Sequence, residues 1–243
     1  MNRSPLGPAP LIYAHRGDRS RAPDNTIEAY RLAVEAGADG IELDVRRTRD
    51  DVLILVHDPS HGNRPPFAEM SLEEVRSEEP SIPTFDEALA FVPSSVYLNV
   101  EIKNTAYEPG FDPSRRIVDE TLSAISSIDD PSRILMSSFD PESVRRSIEI
   151  APNVLAGLLI GSGVEIGAGI DMALALGVQA IHPPMTTLLT DPRASVDRCI
   201  QAGLAVVVWN ANTPKDVEIA VEAGVDVIIT DDPGMARAVI GRD

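Results

Sequence analysis

Short apolar runs and amphipathic stretches alternate along almost the whole chain. Runs rich in Val, Ile, Leu and Ala fall at 11–15, 39–45, 96–102, 133–138, 154–160, 178–182, 204–209 and 225–230. Each has the length of a strand, with turn or polar residues around it. Between them, apolar positions at helical spacing predict helices over 26–36, 84–91, 114–127, 141–150, 166–176, 193–202, 214–223 and 233–240. In the first of these, Ile27, Ala29, Tyr30, Ala33 and Val34 share a face and Gly37 is the stop. The segments 35–39, 201–205 and 222–226 echo one another, each a helix end with glycine at C′ followed at once by a strand. Eight strand–helix units in 243 residues predict one α/β domain, a TIM (β/α)8 barrel over 11–243, preceded by a Pro-rich flexible arm at 1–10. One extra extended segment, 52–56, and an irregular, proline-interrupted insertion over 58–83 with a short acidic helix near 71–78 break the alternation after the second strand.

The ends of the runs carry the candidate chemistry. The first closes on His15-Arg16-Gly17, the second carries Glu42 and Asp44, the extra segment delivers His57-Asp58, and the third barrel run ends in Glu101-Ile102-Lys103. The C-terminal ends of barrel strands form the active face, so these side chains should meet in one pocket. Glu42 and Asp44 stand two apart on a strand and share a face, as do Glu101 and Lys103. Neighbouring carboxylates repel, and a hard divalent cation relieves that repulsion. Glu42, Asp44 and Glu101 are therefore the candidate metal ligands. All-oxygen ligation suits one Mg²⁺ or Ca²⁺ ion. An exposed edge strand would be the bland alternative, but strands of a closed parallel barrel are covered on both faces.

Arg16 presents a planar fork for phosphate oxygens and Lys103 a point charge for the same group, or else a structural partner for a carboxylate. His15 and His57 are the candidate catalytic residues, able to accept or donate a proton on either side of phosphorus. Trp209, the only tryptophan, and Phe139 lie at strand ends where rings can wall a substrate pocket. His182, before two prolines, is either a substrate contact or a local structural residue. His61 reads as a solvated loop residue.

Composition narrows the partners. A net charge of −17 excludes a nucleic-acid footprint and disfavours stable attachment to anionic membranes. A small anionic substrate remains compatible, held by local cations. Cys199 is the single cysteine, so no internal disulfide can form. It reads as a small core residue. Without an apolar leader or a membrane-length run, a cytoplasmic protein is expected, as a monomer or small homo-oligomer.

The ordered set His15-Arg16-Gly17, Pro23-Asp24-Asn25-Thr26, Glu42-Leu43-Asp44, His57-Asp58 and Glu101-Ile102-Lys103 resembles the signature of the glycerophosphodiester phosphodiesterase family. The likeness extends through Ser137-Ser138-Phe139 and Trp209 to Thr230-Asp231-Asp232-Pro233. It implies a phosphoric diester hydrolase that releases glycerol 3-phosphate and an alcohol from a small glycerophosphodiester. Together with similarity to phosphatidylinositol-specific phospholipases C, it suggests attack by the substrate's own hydroxyl through a cyclic phosphate. Asp24 stands where that family usually has Glu, Asn25 is expected to shape the first loop, and Asn212 matches an amide after the tryptophan. The insertion lacks the L-x-R-T-T pattern common in the family, leaving Arg64 as a candidate replacement cation. A lysophospholipase-D-like activity on a lipid headgroup and a non-catalytic barrel binding a phosphate compound are the alternatives.

Overall fold

The computed structural model describes Leu6 and residues 10–242. Apart from Leu6 and Pro10, the N-terminal arm lies outside the described residues. Strands β1 (Leu11–His15), β2 (Gly40–Arg47), β4 (Tyr97–Ile102), β5 (Ile134–Ser138), β6 (Leu155–Leu159), β7 (Ala180–His182), β8 (Ala205–Val208) and β9 (Val227–Thr230) pair in parallel. β1 pairs with both β2 and β9, which closes the ring into an eight-stranded barrel. The remaining strand, β3 (Leu53–Leu55), is antiparallel to the far end of β2.

Helices α1 (Ile27–Glu35), α3 (Phe85–Phe91), α4 (Arg116–Ile125), α5 (Pro141–Ile150), α6 (Ile166–Leu176), α8 (Pro192–Gln201), α9 (Pro214–Ala223) and α10 (Pro233–Val239) follow the barrel strands. Two shorter helices, α2 (Leu72–Glu78) and α7 (Met185–Leu188), lie in the connections after β3 and β7. Four helices begin with a capping side chain followed by proline, at Asp140-Pro141, Asp191-Pro192, Thr213-Pro214 and Asp232-Pro233. The cap satisfies free N–H groups while proline occupies a position that needs none. The echoing glycines Gly37, Gly203 and Gly224 all take positive φ, as the turn from helix to strand requires.

Alternate residues of each strand face helices or the barrel axis. The helix-facing residues form two large apolar clusters, one under the second half of the ring and one under β2, β4 and their helices. Inside the ring, Leu6, Leu11, Tyr13, Leu135, Ala180, Ala205, Val207, Val227 and Ile229 fill the space below the mouth. Tyr13 lies 6.3 Å from Tyr97, stacked at 15°. This packed floor confines polar chemistry to the C-terminal end. The insertion after β3 has a separate small core of Ile54, Val56, Phe67, Met70, Val75 and Ile82.

Floor packing is tight at Gly40, where a Cβ would lie 2.5 Å from Cε1 of Tyr13. Gly40→Ala should destabilise the protein by about 1–3 kcal/mol, the usual range for overpacking. Combined with Tyr13→Leu, it should lose less than the sum of the two single changes, since the clash is then relieved. Denaturant unfolding of the four proteins in the cycle measures this; strict additivity would show that the ring is not what excludes the methyl group.

Candidate active site

β2 and β4 are registered so that Asp44 lies opposite Glu101 and Glu42 opposite Asn99. Alternation turns Glu42, Asp44, Asn99 and Glu101 toward the axis. The three carboxylates each offer an oxygen within 4.8 Å of the others, and all three are buried, Asp44 completely. Lys103, just beyond β4, places Nζ 2.8 Å from Glu101 and 3.5 Å from Asp44. Arg16 places Nε 2.9 Å from Asp44 Oδ2 and Nη1 3.0 Å from Asp24. Both cations thus converge on Asp44 and leave Glu42 without a cationic partner in contact.

The titration of the carboxylates reflects this asymmetry. Burial would raise Asp44, but Lys103, Arg16 and the Asn25 amide outweigh it and hold the group below the ordinary carboxylate range. Burial raises Glu42 well above that range, and repulsion from Asp44 and Glu101 adds to the shift. Burial also raises Glu101, against the opposing pull of Lys103. Glu42 Oε1 and Asp44 Oδ1 are buried acceptors without a hydrogen-bond partner. Oxygen donors, excess negative charge and unsatisfied acceptors together fit a divalent cation, with Glu42, Asp44 and Glu101 as the residues able to hold it.

The first loop is built to fix Asp44. Asn25 donates from Nδ2 to Asp44 Oδ2 at 2.9 Å and accepts from the Asp44 N–H at 3.3 Å. Tyr30 of α1 donates its hydroxyl to the same Asn25 oxygen at 3.1 Å. Arg16 and Asn25 both adopt left-handed backbone, with φ of 56° and 51°. Such conformations cost about 1–3 kcal/mol each and persist where surrounding contacts over-determine them. Here the backbone N–H of Arg16 donates to the Glu42 carbonyl, and that of Asn25 to the Arg16 carbonyl. Asn25 therefore has the loop-shaping role expected of it, extended to direct support of a carboxylate.

His15 and His57 reach the same mouth by different routes. His15 ends β1, where its Nδ1 lies 2.6 Å from Asp231 Oδ1, 2.8 Å from Asn210 Nδ2 and 3.2 Å from Arg19 Nη1. Asp231 also accepts from Arg19 at 3.0 Å and from Asn212 at 2.9 Å. Burial lowers the pKa of His15, with the Asp231 bond as the main opposing influence. In the tautomer that donates from Nδ1 to the Asp231 carboxylate, the lone pair is on Nε2, 4.0 Å from Glu42. His57 arrives on the chain leaving β3, which folds back antiparallel along β2. Val56 N–H donates to the Asp44 carbonyl, and Arg46 Nε donates to the His57 carbonyl at 2.8 Å. His57 is half-exposed, with Nδ1 donating to Asp58 at 2.6 Å.

Together these groups line a cavity of about 210 Å³ with His15, Arg16, Glu42, His57, Glu101 and Lys103 on one side. Phe139, Leu159, Trp209 and Ile229 form its apolar part. Phe139 and Trp209 meet edge to face with centroids 5.9 Å apart. All the residues expected at the site from sequence border this cavity except Asp44, which is buried behind Arg16 and Lys103. His182 is not at its wall: the ring is fully buried against Gly157, burial lowers its pKa to about 3, and neither ring nitrogen has a partner. Arg64 is held by Glu78 and Glu79 away from the cavity, and His61 is paired with Glu79 at 2.5 Å. Cys199 is buried core.

Sequence reading assigned no role at the site to Asp231, Arg19, Arg46, Asn99 or Asn210. The signal for Asp231 lies in the closure of the ring: Ala14 pairs with Thr230, so the next residues on β1 and β9, His15 and Asp231, are neighbours.

The model of the glycerophosphoryl diester phosphodiesterase family matches residues 15–235. The chain belongs to this family. Among its relatives, a glycerophosphodiester phosphodiesterase from Caldanaerobacter subterraneus subsp. tengcongensis is 33% identical over 92% of this chain and 94% of that protein. The crystal structure of the glycerophosphodiester phosphodiesterase from Thermotoga maritima covers 93% of this chain and 96% of its own, with a TM-score of 0.78 at 22% identity. A phosphodiesterase from Oleispira antarctica, solved with the product sn-glycerol-3-phosphate, covers 96% and 97% with a TM-score of 0.81 at 21% identity. In this family member, no helix among the described residues is long and apolar enough to cross a membrane.

The raised carboxyls give a test of cation binding. A group whose folded pKa lies above its unfolded value favours the folded state below the ordinary carboxylate range and loses that contribution as pH climbs through the raised value. Glu42 and Glu101 are such groups. A cation requires their ionised forms, so Mg²⁺ or Ca²⁺ added to chelator-treated protein should raise Tm more at about pH 8 than at about pH 5. Equal shifts at both pH values, or none, would argue against these ligands.

Proposed function

We propose that the protein hydrolyses a small glycerophosphodiester to glycerol 3-phosphate and an alcohol. The observation that carries this reading is the placement of His15 and His57 beside one three-carboxylate cluster, with Arg16 and Lys103 on the same cavity. The relative from Caldanaerobacter bears the name of this activity, and the Oleispira phosphodiesterase of the same fold holds its phosphate product. A divalent cation on Glu42, Asp44 and Glu101 would supply positive charge for phosphate oxygens and lower the pKa of a hydroxyl near it. Arg16 and Lys103 take the remaining phosphate charge.

His15 is suited to act as base, because burial disfavours its charged form and the Asp231 carboxylate can hold a proton on Nδ1. Its Nε2 takes the proton of the glycerol hydroxyl adjacent to the phosphate ester as that oxygen bonds to phosphorus. The bond from phosphorus to the alcohol oxygen breaks, and His57, open to solvent, gives that oxygen a proton. The cyclic phosphate is then opened by water with the two proton transfers reversed. The apolar wall of Phe139 and Trp209 covers carbon atoms of the glycerol. A lysolipid-directed activity would need room for an acyl chain near this cavity, and comparing soluble glycerophosphocholine with lysophosphatidylcholine separates the two.

Release of glycerol 3-phosphate from glycerophosphocholine is the direct test. General acid–base catalysis is typically worth about 10²–10⁴-fold, so His15→Ala and His57→Ala should each lose roughly that much kcat. On a nitrophenyl ester, whose leaving group needs no proton, His57→Ala should recover most of its rate and His15→Ala should not. An equal response of both variants would reject this division of roles.

Asp231→Asn preserves shape but can turn His15 to the other tautomer. It should lower kcat by at least about 10²-fold with little change in KM, and more than Asn212→Ala does. Steady-state kinetics on both variants check this; a KM effect without a kcat effect would place Asp231 in substrate binding.

A further inference from the structure

Asn99 lies at the middle of β4, with Glu42 opposite it on β2 and Leu135 on β5. Its neighbours Leu98 and Val100 face the helices, so its carboxamide faces the axis, where it borders the cavity. The residue is 1% exposed, yet neither Oδ1 nor Nδ2 has a hydrogen-bond partner. A buried amide with both ends unpaired is unfavourable, and an apolar residue of similar size would stabilise the strand better. A ligand group that both donates and accepts would satisfy it.

We propose that Asn99 recognises the terminal hydroxyl of the glycerol moiety, which makes it a specificity-determining residue. This rests on the phosphodiesterase reading above. A glycerophosphodiester has two free hydroxyls; the one next to the phosphate ester faces the base, and the terminal one still needs partners. A hydroxyl gives one hydrogen bond and accepts others, which a carboxamide matches from one side. Of the other polar groups on this cavity, Asn210 has its Nδ2 2.8 Å from His15 Nδ1 and offers only its Oδ1, an acceptor. Glu101 is tied to Lys103, and Trp209 donates its N–H to the His182 carbonyl. Phe139, Leu159, Trp209 and Ile229 supply the apolar surface for the carbon skeleton. Asn99 carries no charge, so the pocket selects a neutral polar end over an ammonium or a carboxylate.

The test compares glycerophosphocholine with the analogue in which the terminal CH₂OH is replaced by CH₃, leaving the internal hydroxyl intact. Sites built to bond a hydroxyl reject analogues lacking it strongly, so wild-type kcat/KM should favour the glycerol ester by about 10²-fold or more. In Asn99→Leu that ratio should fall to within about ten-fold, through loss on the glycerol ester and not on the analogue. Asn99→Ser, which keeps one hydroxyl, should lie between. Turnover of both esters by wild type at similar rates overturns the assignment without any variant. Equal losses on both esters in Asn99→Leu overturn it in favour of a structural role. An unchanged ratio with weakened Mg²⁺ or Ca²⁺ affinity, measured by calorimetry, overturns it in favour of metal ligation. No turnover of either ester by wild type overturns the proposed activity, and this assignment with it.

Discussion

Three buried carboxylates faced by two cations form the constraint on which the rest of the site depends. Charges removed from water are tolerated only when paired and hydrogen-bonded. Asp44 meets that condition: Arg16, Lys103 and Asn25 surround it and keep it ionised. Glu42 does not, and is held toward its protonated form. The site in this state is thus poised between keeping a proton and exchanging it for a cation. The left-handed turns at Arg16 and Asn25 belong to the same arrangement, because they bring a guanidinium and an amide to a single carboxylate.

The two histidines are fixed by different parts of the fold. His15 sits at the seam where β1 meets β9, with its proton aimed at a carboxylate from the far end of the chain. His57 hangs from a hairpin folded back on β2, in contact with solvent, secured by Arg46 and by one backbone bond to Asp44. A buried neutral ring and a half-exposed ring differ in access to water, which suits proton abstraction at one and proton delivery at the other.

Much of this was legible in the sequence. Apolar runs of strand length located the barrel strands, and polar residues at their ends located His15, Glu42, Asp44, Glu101 and Lys103. Periodicity reports which face a residue takes, so the shared face of Glu42 and Asp44 followed directly. It does not report direction, and the antiparallel course of β3, which carries His57 to the mouth, was read only as an extra segment. Pairing between chain ends is invisible to local pattern, which is why the partnership of His15 with Asp231 emerged only from closure of the ring. Asn99 and His182 show a different limit. Both are polar residues turned inward, yet one borders the cavity and the other is packed dry against Gly157; the size of the neighbouring residue decides between them, not their own type.

The insertion is anchored by a small core of its own. Residues of the rim beyond His57 pack on Ile54, Val56, Phe67, Met70, Val75 and Ile82, apart from the clusters that hold the barrel. The rim is therefore a semi-independent module clipped to the end of β2. Loosening that small core would free the rim first, while the carboxylates stay where β2 and β4 put them.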